Sequence, residues 1–410
     1  FSAGWRVSEE GFMKNVSWLS NLKLRGSYGE SGALAGSPFQ YLSSYTLYGN
    51  AAILGGGAVQ GLYENAEPNT SITWERAKKL NIGIDATLWR GLLSIEADYF
   101  FEKRDNMLFA PDIVVPSEYG IGLAQVNSGS MSNKGIEITL RSSYTVTKDL
   151  QLDFTGNFTF VRNKLLRVFE NAASYNNPNR RRTGRPLNTQ FGYKALGYFQ
   201  VSDDTNGNGI IDPAEYSVLQ PFGVIRPGDL KYEDTNKDNI INQEDIVPIG
   251  KSAVPEIYYG FSPSVRYKGF DFSLLFQGAT NRNFYMTATA AFPFENGASA
   301  TKAQMDYWTP QNPNASNPRL TPTPAPNNTQ VSSWWLLDAS YLRLKTGELG
   351  YTFATQMIRK VKMQSARVYV SGQNLLTFAP IKNFDPEVGA QNGEYYPQQK
   401  VITVGLNLTF

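Results

Sequence analysis

The run Asp204-Thr205-Asn206-Gly207-Asn208-Gly209-Ile210-Ile211-Asp212-Pro213-Ala214-Glu215 places oxygen-bearing side chains at positions 1, 3, 5, 9 and 12 of a twelve-residue stretch. Gly209 supplies the turn at position 6 and Ile210 a backbone carbonyl at position 7. A hard divalent cation needs several oxygens converging on one point, and this spacing wraps the chain around one. A second copy runs from Asp234 to Asp245, with Asp234, Asn236, Asp238, Ile240, Asn242 and Asp245 at the donor positions. It departs twice from the pattern: Asn239 replaces the turn glycine, which Asn tolerates, and the shorter Asp245 replaces a bidentate Glu. A solvated Asx-rich turn explains the Asp and Asn but not the apolar Ile211 and Ile241 at position 8 of both copies. Asp204, Asn206, Asn208, Ile210, Asp212 and Glu215 are therefore expected to hold a Ca2+ ion, and the second set another. Neither is attached to a reaction; both staple a long loop.

Other chemistry is scarce. The 410 residues contain no Cys and no His, which removes disulfides, thiolate metal sites, His-ligated zinc and the usual nucleophilic triads. No catalytic residue is assigned, and the chain reads as a non-enzyme. A net charge of +2 gives no broad basic face, so nucleic acid is not an expected partner. Nowhere do about 18 consecutive apolar residues occur, so no helix spans a membrane. The opening Phe1-Ser2-Ala3-Gly4-Trp5 reads as mid-strand rather than a leader, which implies a preceding segment.

The elements that carry these loops are strands. Stretches of about ten residues alternate between apolar and polar side chains. Leu80, Ile82, Ile84, Ala86 and Leu88 oppose Lys79, Asn81, Gly83, Asp85 and Thr87, and Ile402, Val404, Leu406, Leu408 and Phe410 oppose Thr403, Gly405, Asn407 and Thr409. Strands are expected near 1–7, 22–30, 78–88, 92–104, 134–144, 150–163, 257–267, 270–279, 338–353, 366–377 and 400–410. In the ninth, the apolar phase slips between Leu344 and Leu349, which predicts a bulge near Gly347.

Connections alternate between short and long. Trp89-Arg90-Gly91, 145–149 and Lys268-Gly269 are short and the links 8–21 and 354–365 modest, whereas 31–77, 105–133, 164–256, 280–337 and 378–399 are long. Up-and-down barrels of the bacterial outer membrane impose this parity through short periplasmic turns and long extracellular loops; a Greek-key sandwich does not. The fold class is thus all-β, a transmembrane antiparallel barrel, with its C-terminus at Phe410 in the periplasm. Tyr99-Phe100-Phe101, Tyr258-Tyr259, Trp334-Trp335 and Tyr395-Tyr396 suit headgroup-level girdles in contact with outer-membrane lipid. Inward-facing Lys79, Asp85, Glu96, Asp98, Glu137, Arg141 and Asp153 should line a polar lumen. The cluster Arg180, Arg181, Arg182 and Arg185 has the charge to grip an anionic ligand or lipopolysaccharide, although such clusters are usually solvated.

Several ordered segments resemble the C-terminal half of SusC-like TonB-dependent transporters of Bacteroidota. These are Gly4 to Glu10 with Leu22 to Gly29; Val126 to Glu137; Tyr341 to Lys345 with Leu349-Gly350-Tyr351; Arg367 to Leu376; Phe384-Asp385-Pro386-Glu387; and Tyr396-Pro397 to Phe410. The resemblance implies a 22-stranded barrel of which about half is visible, 1–410 being its C-terminal part, with a plug and TonB-contacting segment upstream. It also implies a SusD-like surface lipoprotein as a lid. Thr183 to Leu187 and Phe191-Gly192-Tyr193 are similar to a segment beneath that lid, and Tyr193, Tyr198, Phe199, Tyr307 and Trp308 are expected as exposed rings for it or for a ligand. The reading is import of oligosaccharides or peptides. The alternatives are a SusC-like barrel serving as a structural or assembly subunit without transport, and a soluble calcium-stabilised β-protein.

Overall fold

Alternation at period two gives each strand one apolar and one polar face, and the strands join edge to edge into one twisted antiparallel sheet. A computed structural model describes every residue except Val114, Lys360 and Val361, which fall in the expected 105–133 loop and 354–365 link. Eleven strands follow one another in sheet order: β1 (Ser2–Arg6), β2 (Leu19–Ala33), β3 (Glu75–Leu88), β4 (Leu93–Phe109), β5 (Val126–Thr147), β6 (Leu150–Arg167), β7 (Ile257–Tyr267), β8 (Phe270–Thr280), β9 (Tyr341–Thr352), β10 (Ser365–Phe378) and β11 (Val401–Thr409). Every neighbouring pair is antiparallel, and β1 and β11 form the two edges of an unclosed barrel wall.

One face is apolar and bare. Ile82, Ile136 and Leu406 are each more than a third exposed, as side chains that meet hydrocarbon should be. Phe261 and Phe276, opposite each other on β7 and β8, stack at 4.6 Å on this face. The other face carries ion pairs between neighbouring strands and across an intervening one. Arg25 reaches Asp85 at 2.8 Å and, across β3, Asp98 at 2.6 Å. Gly83 permits that crossing, because a Cβ there would stand 2.6 Å from both the Arg25 guanidinium and Asp98 Oδ1. Arg141 pairs with Glu96, Arg266 with Asp153, and Arg367 with both Asp271 and Glu348.

Short and long connections alternate without exception. Residues 89–92, 148–149 and 268–269 are tight turns, and 7–18 and 353–364 are modest links; 34–74, 110–125, 168–256, 281–340 and 379–400 are long. The 105–133 expectation was too wide. In Glu102-Lys103-Arg104-Asp105 both faces are charged, so alternation disappears while the backbone ladder continues. The bulge in β9 falls at Lys345, two residues before Gly347: Leu275 faces Thr346 while Phe276 faces Leu344.

The long connections are built, not loose. Tyr193, Tyr198, Leu230, Tyr232 and Ile241 from the 168–256 connection pack with Tyr285, Ala291, Trp308, Ala315 and Trp335 from 281–340. The expectation of exposed rings at Tyr193, Tyr198, Phe199 and Trp308 is therefore wrong: all four are buried, Tyr193, Tyr198 and Trp308 because rings from two loops fold onto one another, and Phe199 against Ile211 and Ile225 of its own loop. Tyr307 keeps partial exposure. Trp335 likewise belongs to this core and not to a girdle, donating from Nε1 to the Asn328 carbonyl at 2.8 Å. Buried amides close the seam: Gln220 donates to Asn327 at 2.8 Å, and Asn328 to Asp229 at 2.9 Å. The third loop joins through Ile381 and Val388 against Phe284 and Ala339. Apart from this body, the 34–74 connection carries a hairpin, Tyr45–Leu54 with Gly57–Glu64, turning at Gly55-Gly56. No residue from Tyr45 to Tyr63 is charged, and Leu47, Ile53 and Leu62 are all largely exposed.

Candidate functional site

Both twelve-residue loops fold alike. In the first, Asp204 accepts from the N–H groups of Asn208 (3.1 Å) and Gly209 (2.7 Å), Asn206 from Asn208 (2.9 Å), and Asn208 from Ile210 (2.8 Å). Glu215 closes the loop by accepting from Asn206 N (2.9 Å) and Asp212 N (3.2 Å). In the second, Asp234 accepts from Asp238 (3.3 Å) and Asn239 (2.7 Å), Asn236 from Asp238 (3.0 Å), and Asp238 from Ile240 (2.9 Å). Asp245 closes it on Thr235 N (2.7 Å) and Asn242 N (2.9 Å). Left-handed residues recur at positions 4 and 6: Gly207 (φ 73°) and Gly209 (φ 77°), then Lys237 (φ 63°) and Asn239 (φ 66°). Asn239 thus does adopt the turn glycine's conformation.

The two copies differ in how closely their carboxylates gather. Among the described residues, Asp234, Asp238 and Asp245 form the one acidic trio with ligand oxygens all within 4.8 Å of one another. Asp204, Asp212 and Glu215 do not converge so tightly, and Asn206 Nδ2 lies 3.3 Å from Asp212 Oδ2. The copy with the weaker sequence pattern is therefore the more compact. A one-turn 3-10 helix, Gln243–Asp245, draws the shorter Asp245 back into the loop, where it is wholly buried. Asn242 Nδ2 donates to the Ile240 carbonyl at 3.3 Å and lies 3.5 Å from Asp238 Oδ2.

Backbone amides set the electrostatics. The N–H of Asn206, followed by that of Asp212, holds the Glu215 carboxyl below its ordinary range, and the N–H of Ile240 does the same for Asp238. Position 8 explains itself: Ile211 packs with Phe199 and Ile225, and Ile241 lies in the aromatic core. Ile211 N donates to Ile225 O at 2.9 Å, and Leu219 takes both partners of a bridge beside the second loop, through Asn239 O and Ile241 N at 2.8 Å each. Each loop is thereby sewn to the segment joining it to the other.

A second polar centre went unread in the sequence. Arg343 on β9 is buried; Nη2 donates to both Asp385 oxygens at 2.8 Å and Nη1 to Glu387 at 2.7 Å. Tyr341 donates to Glu387 at 2.7 Å, so the segment 384–387 is clamped onto β9. Its signal was a lone Arg between Leu342 and Leu344, opposite an acidic pair in a later loop.

Residues 1–375 match the family described as TonB dependent receptor-like, beta-barrel. Over its whole length the chain is 31% identical to a TonB-dependent receptor of Formosa agariphila, spanning 42% of that protein. It is 26% identical over 99% of its length to the TonB-dependent receptor SusC of Bacteroides thetaiotaomicron, spanning 39% of it. The solved RagAB peptide transporter is similar in fold over 100% of the chain, with a TM-score of 0.74 at 24% identity, the chain covering 43% of it. The chain thus spans less than half the length of the relatives it matches. Its eleven-stranded antiparallel sheet, bare and apolar on one face, belongs with those matches: this is a SusC-like member of the TonB-dependent receptor β-barrel family of the bacterial outer membrane.

Proposed function

We propose that the chain is the C-terminal half of the barrel of an importer for oligosaccharides or peptides, energised by TonB through an upstream plug and closed by a SusD-like lipoprotein. The long connections would then be extracellular and Phe410 periplasmic. One observation carries this reading. Every long connection leaves the same rim, and three of them share cores with one another, giving a firm outer surface on which a lid can close. Gentle detergent extraction followed by pull-down tests it, with uptake measured in cells with and without TonB. A surface lipoprotein should co-purify and uptake should require TonB; a barrel recovered with no lipoprotein, or uptake indifferent to TonB, ends the reading.

We propose also that the two twelve-residue loops hold structural Ca2+. Asp245 supports this: a wholly buried carboxylate that faces Asp234 and Asp238, whereas the other wholly buried one, Asp229, is neutralised by Arg319 at 2.8 Å. From Val201 to Ile246 the chain carries ten acidic and three basic side chains, against +2 for the whole, so this stretch favours cations. Oxygen ligands at about 2.3 to 2.6 Å are expected. Elemental analysis of protein purified without chelator should find calcium, and its complete absence would refute the assignment.

A further inference from the structure

The basic cluster divides in the structure, and one member meets a cavity. Arg180 is paired with Glu244 at 2.7 Å, and the Arg181 guanidinium lies 5.4 Å from the Tyr175 ring. Arg185 is held instead by the carbonyls of Arg181 (3.0 Å) and Pro178 (2.8 Å), with Phe191 5.9 Å away, and lines a cavity of about 520 Å³. That cavity lies against the outer ends of β5 and β6, where Asn133 and Asn163 stand opposite each other in register. By alternation along the strands they share the polar face of Glu137 and Asn157, the lumen side. Asn133 Oδ1 is buried there without a hydrogen-bond donor.

The charge is one-sided. Glu256 is taken up by Arg162 at 2.8 and 2.6 Å, whereas Arg185 and Lys251 donate only to neutral oxygens. Met131 and Val161 give apolar contact surface, and none of the described residues lining the cavity is aromatic.

We propose that this cavity is a subsite for an anionic peptide segment, an inference that rests on the importer reading and narrows its substrate class. Asn133 Oδ1 offers a buried acceptor and Asn163 Nδ2 a donor, its own Oδ1 being taken by the Leu187 N–H at 2.6 Å, which together suit a peptide bond. Arg185 and Lys251 match a carboxylate, Arg185 through the Nη1 end of its guanidinium, since Nε and Nη2 serve the Arg181 and Pro178 carbonyls. A sugar would find no aromatic face on which to lie.

Calorimetric titration of the full-length receptor with its co-purifying lid, in about 0.1 M salt, tests the proposal with three probes. They are an acidic hexapeptide, the same peptide with Asn and Gln for Asp and Glu, and tetragalacturonate. The acidic peptide should bind about ten-fold tighter than its amide counterpart. Arg185→Gln and Lys251→Gln should each erase that preference, and Arg182→Gln should keep it. Because Arg185 also ties two backbone carbonyls, Lys251→Gln is the variant that tests charge without disturbing the loop. Equal affinity for the two peptides, a preference surviving both variants, or tighter binding of tetragalacturonate would overturn the subsite. Loss of TonB-dependent uptake with the preference intact would overturn the importer reading alone.

Discussion

At the scale of single residues, buried charge decides most. Arg343 has almost no exposed surface and faces two carboxylates, so Arg343→Ala leaves Asp385 and Glu387 without their cation. Removing one partner of a buried pair costs about 3 to 5 kcal/mol. Hydrogen exchange should therefore accelerate across 384–388 while the β7–β8 hairpin stays protected; unchanged exchange at 384–388 would deny the clamp. Acid acts on the twelve-residue loops with a definite sign. Glu215 and Asp238 have folded pKa values below their ordinary ones, so the stability they contribute is present above the ordinary carboxylate range and is lost as pH falls through the lowered values. Cleavage within 201–246, read with trypsin at neutral pH and with acid-active pepsin below it, should thus stay slow at neutral pH and rise once the pH takes both groups below their folded values. Chelator at neutral pH should reproduce that rise, and Asp245→Ala should make it independent of chelator; cleavage indifferent to both would remove any metal role.

Elements were legible where they meet lipid and obscure where they do not. Leu80 to Leu88 announces a strand unaided, because hydrocarbon on one side and a wet lumen on the other force period two. Past the membrane rim that contrast fades, which is why β4 and β5 continue beyond their expected ends to Phe109 and from Val126. The twelve-residue loops could be read because their spacing is local, although the tighter gathering of Asp234, Asp238 and Asp245 depends on the 3-10 turn at 243–245, which the pattern did not reveal. The shared loop core was not legible: Tyr193, Tyr232 and Trp335 sit in aperiodic stretches and meet across a large sequence separation. It should melt as a unit. Trp335→Ala removes a nearly fully buried ring and its hydrogen bond, a loss of about 3 to 5 kcal/mol. Limited proteolysis should then cut both 168–256 and 281–340 while the barrel still shows heat-modifiable migration. Cuts confined to 281–340 would mean that the two loops fold separately.

For the whole molecule, the hairpin at 45–64 bears on handling as much as on structure. Two strands alone are marginal in water, and here they carry no charge from Tyr45 to Tyr63, with Leu47, Ile53 and Leu62 bare. Its outer edges lack the lysines, prolines or short length by which proteins discourage strand addition. Left bare, such a hairpin is suited to add to a second copy of itself. Purified in detergent without partners, the receptor should drift to larger species on concentration and storage, as light scattering would record. Ile53→Lys with Leu62→Lys should keep it monodisperse at the same concentration; if the double variant clusters equally, the stickiness lies elsewhere. Samples that age well would then be those in which the finger is already gloved, and colloidal behaviour becomes a quick assay for intact assembly.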